Sequence, residues 1–219
     1  MLEYCYVAFL DILGYSNMVL SDIEGPERPE KYFDKLFQIH QETEKITYEN
    51  LNFSIIQFSD SIIISAPYRP DSFFNLSKLI SDYQYKLLCS DILIRGALTY
   101  GKHFYNDNFL FSAAVIDAYR LESTQARYPR ILISDDLFDL VSNSPDCDTQ
   151  YVVSDNNFKI IDFLQSQSID AEKAEGIRNL ISSLVSSTKD TISEKGLWLK
   201  EYFYFKFPSL AEQYVRFAK

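Results

Sequence analysis

Two aspartates stand out for the company they keep. Asp11 closes the apolar run EYCYVAFLD, and Asp60 sits in QFSDSIII between two apolar stretches. A carboxylate in such surroundings is costly if it is buried without a partner, so it calls for a cation or a set of donors. Each has a simple local account: Asp11 as a strand-end acid taking backbone N–H bonds from a turn at Gly14, Asp60 as an Asx-turn residue. Side by side, however, they would repel each other unless a shared divalent cation neutralised them. Oxygen-only ligation suits Mg²⁺ or Mn²⁺ carrying a nucleoside triphosphate, with two ions stabilising attacking and leaving oxygens. A third segment, FSAAVIDAYRLES, holds Asp117, Arg120 and Glu122. Arg120 could stabilise charge on a transferring phosphorus; an ion pair with Asp117, three residues earlier on a helix, is the better account of Arg120 taken alone. Lys102, Arg127 and Arg130 are candidates for a phosphate tail, and His40 and His103 receive no catalytic role.

The elements that would position these residues follow from hydropathy. Glu3 to Asp11 reads as a buried central strand. Glu30 to Asn50 carries Phe33, Leu36, Phe37 and His40 at helical spacing. Phe53 to Phe58 and Ile62 to Ala66 form a tight hairpin with Asp60 at its tip. Phe73, Leu76, Leu79, Ile80, Tyr83 and Leu87 mark a second helix, and Ile92 to Tyr100 another strand, closed by Gly101. The order β-α-β-β-α-β is the split pattern of ferredoxin-like folds, an α+β class with helices on one face, and it puts Asp11 and Asp60 on neighbouring central strands. A helix from Ala113 to Gln125, a strand from Arg130 to Ser134 and a helix from Asp135 extend the sheet and cover it. Short strands around Tyr151 to Val153 and Phe158 to Phe163 follow, then helices over Asp170 to Ser187 and Glu194 to Phe217. The expected division is a core over 1–141 and a C-terminal helical elaboration over 142–219, packed on the core or on a partner.

Composition narrows the function class. The 219 residues are 47% hydrophobic and 24% charged, which excludes a disordered chain; 17 Phe and 16 Tyr supply a core without disulfides. Three cysteines and two histidines without C-x-x-C spacing argue against structural zinc. A net charge of −10 disfavours a nucleic-acid polymer as partner, although an acidic protein binds a nucleotide when divalent cations supply the positive charge. No run approaches the ~18 apolar residues of a membrane span, and the N-terminus lacks the basic residues of a signal peptide, so a cytoplasmic location is expected.

The segments FLDILGYS, FSDSIIIS, IRGALTYG and FSAAVIDAYRLE, in this order, resemble the class III nucleotidyl cyclases, most closely the bacterial antiphage branch known as Pycsar cyclases, over roughly Tyr4 to Ser134. The resemblance implies a metal set of Asp11, Ile12 and Asp60 for two Mg²⁺ or Mn²⁺ ions, a catalytic Arg120, and substrate contacts from Gly14, Tyr15, Ile56, Phe58, Lys102 and Phe109. It implies a homodimer with shared active sites and a separate cyclic-nucleotide effector protein. Two departures bear on it: Ile116 replaces the family Asn that helps position the ribose, and Ser59 and Ser61 replace the glycines that usually flank the second Asp. Ile56 and Phe109 stand where purine-using relatives have a base-reading Lys and Asp. Conversion of UTP to 3′,5′-cyclic UMP and pyrophosphate is therefore expected, with cyclic CMP from CTP second. A non-catalytic nucleotide-binding module and a palm-type nucleotidyltransferase are the competing classes.

Overall fold

The computed structural model describes residues 1–24, 31–46, 53–106 and 109–210. Two compact units divide the chain, Met1–Phe163 and Leu164–Lys219. The first unit runs β1 (Glu3–Ile12), α1 (Tyr15–Glu24), α2 (Lys31–Ile46), β2 (Ser54–Phe58), β3 (Ser61–Pro67), α3 (Pro70–Leu88), β4 (Ile94–Asn106), β5 (Phe109–Ser112), α4 (Ala113–Gln125), β6 (Ile131–Ile133), α5 (Asp135–Ser142), β7 (Val152–Asp155) and β8 (Phe158–Ile161). The sheet order is β2-β3-β1-β4-β6-β8-β7, with β5 paired to β4. The first four strands thus take the ferredoxin-like arrangement, and the class is α+β as the sequence indicates. β1 is antiparallel to both neighbours, which makes it the organising strand.

Alternation along β1 separates two faces. Tyr6, Ala8, Leu10 and Ile12 enter the main core with Ile62 and Ile64 of β3, Ile94 and Leu98 of β4, Leu36 and Ile39 of α2, and Phe73, Leu76 and Ile80 of α3. Cys5 and Val7 face the other way and pack with Ala114 of α4. Helices therefore cover both faces, because α4 lies opposite α2 and α3; the expectation of one covered face applies to the split motif alone. Gly96 sits opposite Leu10, where a Cβ would come within 2.4 Å of the Phe9 carbonyl oxygen and 2.7 Å of a Leu10 methyl. Close approach of β4 to β1 depends on this bare position.

Several boundaries differ from the sequence reading. β4 passes through Gly101 to Asn106 and turns back as β5, forming a hairpin that the reading closed too early. α1 was not anticipated. Tyr15, Met18 and Val19 line an apolar cavity of about 570 Å³ shared with Tyr32, Leu36 and Phe37 of α2. The division expected after Val141 falls inside the first unit, since β7 and β8 join the same sheet through β6.

The second unit contains α6 (Ala171–Val185), α7 (Asp190–Lys206) and a single 3₁₀ turn (Pro208–Leu210). Asp170 caps α6 by accepting from the Lys173 amide at 2.8 Å, and the Tyr202 hydroxyl accepts from the Leu164 amide at 3.2 Å. The last helix starts earlier and stops earlier than the expected Glu194 to Phe217, ending at Lys206 with Phe207 as its C-cap; residues 211–217 of that expectation lie outside the described residues. No helix among the described residues is long and apolar enough to cross a membrane.

Gly96→Ala forces β1 and β4 apart beside Leu10, an overpacking that costs about 2 kcal/mol. Chemical denaturation should show that loss against the wild type; an unchanged midpoint would mean that the strands separate freely.

Candidate active site

β1 and β3 run antiparallel with Asp11 opposite Ser61, so Asp60, the residue before Ser61, lies next to Asp11 at the same end of the sheet. The Ile12 amide donates to the Asp60 carbonyl oxygen at 2.9 Å and ties the β2–β3 turn to β1. Ser59 takes φ +57° in that turn, the left-handed value a two-residue hairpin loop normally gives to glycine. A serine here holds the turn at some backbone cost but does not prevent it. Phe58, just before, is 82% exposed.

A third acid joins the pair. α4 is capped by Ser112, whose hydroxyl accepts from the Val115 amide at 3.1 Å, and it turns Ala114, Ala118 and Glu122 to the sheet. The two alanines at four-residue spacing let the helix lie close, and Glu122 continues their stripe to the level of Asp11. Arg95, opposite Asp11 on β4, completes the group. Its Nε donates to Asp11 Oδ2 at 2.9 Å and lies 2.8 Å from Glu122 Oε1, while Nη1 donates to the Ala126 carbonyl at 3.3 Å. Burial raises the Glu122 carboxyl above the usual range; Arg95 pulls it down, and Asp11 and Asp60 push it further up. Three carboxylates and one guanidinium leave two negative charges at one end of the sheet.

The other sequence candidates are distributed as follows. Gly14 takes φ +79° and its carbonyl accepts from the Asn17 and Met18 amides, starting α1 right after the strand that carries Asp11. Tyr15 opens that helix and faces the apolar cavity. Ile56 stands opposite Ile63, which in turn faces Phe9 of β1, two residues before Asp11. Phe109 is not its neighbour. It lies on β5, four strand spacings away or roughly 19 Å, stacked near Phe104 and Phe111. Lys102 pairs with Tyr4, seven register positions or roughly 23 Å along the strand from Arg95, and its ammonium lies over the Tyr4 ring. Within one chain neither residue reaches the Asp11–Asp60 end. Arg130 is buried, ion-paired with Asp155 and stacked on Phe158, which removes it from the phosphate candidates.

Arg120 projects from the outer face of α4, 74% exposed, with its guanidinium 3.8 Å from Asp117. It is two residues from Glu122, about 200° around the helix, so one chain cannot turn both to the sheet. Arg95 is the member of this charged cluster that the sequence reading missed. Its signal was present: a lone charge in the apolar strand ILIRGALTY, the same anomaly that drew attention to Asp11.

No family model matches the sequence, and no curated protein matches it. Solved structures do match in fold. The adenylyl cyclase CyaB of P. aeruginosa superposes with a TM-score of 0.51 at 18% identity, covering 74% of this chain and 95% of the other. An adenylate/guanylate cyclase/hydrolase from Silicibacter pomeroyi gives 0.50 at 16%, covering 74% and 95%. The dimeric guanylyl cyclase domain of the RhoGC fusion protein of Blastocladiella emersonii gives 0.50 at 18%, covering 73% and 93%. The chain has the fold of adenylyl and guanylyl cyclase domains.

A carboxyl whose folded pKa is raised binds its proton more tightly folded than unfolded, so the unfolded chain releases it first as the pH rises. Glu122 therefore withdraws stability as the pH climbs from about 4.5 through its folded value. Glu122→Gln removes that leg. The melting-temperature difference, variant minus wild type, should become more positive across this window, and a difference independent of pH would contradict the assignment.

Proposed function

We propose that the protein is a nucleotidyl cyclase that closes a nucleoside triphosphate to its 3′,5′-cyclic monophosphate with release of pyrophosphate. The observation that carries this reading is the Asp11–Asp60 pair, held at adjacent strand ends by the β1–β3 register on a cyclase-domain fold. The donor set is all oxygen and carries excess negative charge, which fits Mg²⁺ or Mn²⁺. Among the described residues no group of three or more His, Cys, Asp or Glu side chains could hold a metal alone. Two carboxylates with the Ile12 carbonyl, water and substrate phosphate make a shell of the kind Mg²⁺ accepts.

When bound, the ions would lower the pKa of the ribose 3′-hydroxyl and screen the triphosphate. Asp11 and Asp60 fix where that charge sits. The 3′-oxygen attacks the α-phosphorus, the bond to the β-phosphate oxygen breaks, and the hydroxyl proton passes to solvent. The backbone amides that open α1 after Gly14 favour an anion near Asp11. Arg95 meets the phosphates from the β4 side, and Arg120 neutralises charge on the α-phosphoryl oxygens.

Because Arg120 faces outward, the reading requires a second copy of the chain to bring its Arg120 to the Asp11–Asp60 end. The exposed Ile116 and Tyr119 on the same helix, with Phe109 and Phe111 on the hairpin, support such a contact. For the base, Ile56, Ile63 and Phe9 form an apolar row without a side chain to read a purine edge. This is compatible with a pyrimidine; the order UTP before CTP, and cyclic UMP as a second messenger for a separate effector in antiphage defence, rest on the resemblance to Pycsar cyclases alone.

Incubation with each ribonucleoside triphosphate and Mn²⁺, followed by mass analysis, should yield cyclic UMP as the main product in a four-way competition. Predominant cyclic AMP or cyclic GMP would overturn the base assignment, linear products would indicate a nucleotidyltransferase, and no product a binding module. Asp11→Asn and Asp60→Asn should each lower turnover by at least about a hundredfold. Mixing inactive Arg120→Ala chains with inactive Asp60→Asn chains should restore activity if sites are shared between subunits. No recovery after proven subunit exchange would place the site within one chain.

A further inference from the structure

Arg95 serves two acids that differ in their freedom. Asp11 has 20% of its side chain exposed and stands beside Asp60; Glu122 has 3% and sits beneath α4. The Arg95 Nε–H points to Asp11, so Glu122 Oε1, although 2.8 Å from the same nitrogen, accepts no hydrogen bond among the described residues. A carboxylate this buried has lost its water and is held by a nearby positive charge. Asp11 can exchange its cation for one from solution. Glu122 cannot.

We propose that Arg95 is a placeholder cation on Asp11 and that Glu122 is the positioning residue that receives its guanidinium when a divalent cation takes Asp11. The proposal rests on the reading of Asp11 and Asp60 as metal ligands. Before the metal arrives, the Nε–H of Arg95 neutralises Asp11. With a metal on Asp11, that N–H would be released to turn to Glu122 Oε1, which is already within reach and accepts no hydrogen bond among the described residues. The Ala126 carbonyl keeps Nη1 in place throughout, so the guanidinium swings a short way and stays at the wall of the site. A buried acid thus lowers the cost of clearing the metal position. Without it, the arginine remains committed to Asp11 and competes with the metal.

The test is direct binding of Mn²⁺ without nucleotide, read from the electron paramagnetic resonance signal of the free ion, on the full chain. Glu122→Gln should weaken Mn²⁺ binding about tenfold, the scale of one charge-assisted hydrogen bond. Glu122→Asp keeps the charge and should recover part of the loss. Arg95→Met combined with Glu122→Gln removes the competitor and its anchor together, leaves no charge at the buried Glu122 position, and should bind Mn²⁺ more tightly than the wild type. These opposite signs separate positioning from damage to the fold. Wild-type affinity in Glu122→Gln, or a double variant no tighter than Glu122→Gln, overturns the proposal. Asp11→Asn is the control for the underlying reading: if it leaves Mn²⁺ binding unchanged, the metal assignment fails, whereas loss in Asp11→Asn with no effect of Glu122→Gln removes this proposal and leaves that assignment standing.

Discussion

One guanidinium between two carboxylates organises the end of the sheet where the candidate site lies. Arg95 reaches Asp11 because β1 and β4 are in register, and it reaches Glu122 because α4 lies close on the sheet. Each condition has its own cause in small residues: Gly96 lets the strands approach beside Leu10, and Ala114 and Ala118 let the helix settle. Bulk at any of these positions would separate charges that are otherwise in contact. The site is therefore built by absent side chains as much as by those present, since electrostatic contact at 2.8–2.9 Å tolerates little displacement of the backbone.

The arrangement also divides labour between the faces of β1. Even-numbered residues from Tyr6 to Ile12 carry the main core, and odd-numbered residues from Cys5 to Asp11 face α4 and the site. Burial of the first set fixes the register, because a slip by one residue would exchange the two faces. Position of Asp11 and Asp60 is thus a by-product of core packing. Among the described residues the second unit, Leu164–Lys219, has its own helix pair and a Tyr202-to-Leu164 tether, and contributes none of the residues assigned here to the site.

The split β-α-β-β-α-β order and the adjacency of Asp11 to Asp60 were legible in the sequence because both follow from apolar runs broken by a single charge. Arg95 carried an equal signal, but its meaning depends on a register between β1 and β4 that spacing does not supply. Phe109 is placed at the site by its position in the resembling family and Lys102 as a charge at a strand end; the β1–β4 register puts Lys102 at the opposite end of β4 from Arg95, and Phe109 lies on the outer hairpin strand β5. Glu122 and Arg120, two residues apart, could not be sorted from sequence into inner and outer positions. The helix phase is set by which alanines touch the sheet.

α4 runs from Ser112, whose hydroxyl both caps the helix and lies 2.9 Å from His103 Nδ1 at the base of the hairpin, to Ala126, whose carbonyl holds Arg95. Its 13 residues make a stiff rod of about 20 Å. A hydrogen-bonded rod transmits displacement along its length instead of absorbing it. The exposed aromatic hairpin and the arginine at Asp11 are consequently joined to opposite ends of one helix, so the hairpin's place on the sheet and the seat of the guanidinium are fixed by the same rigid element.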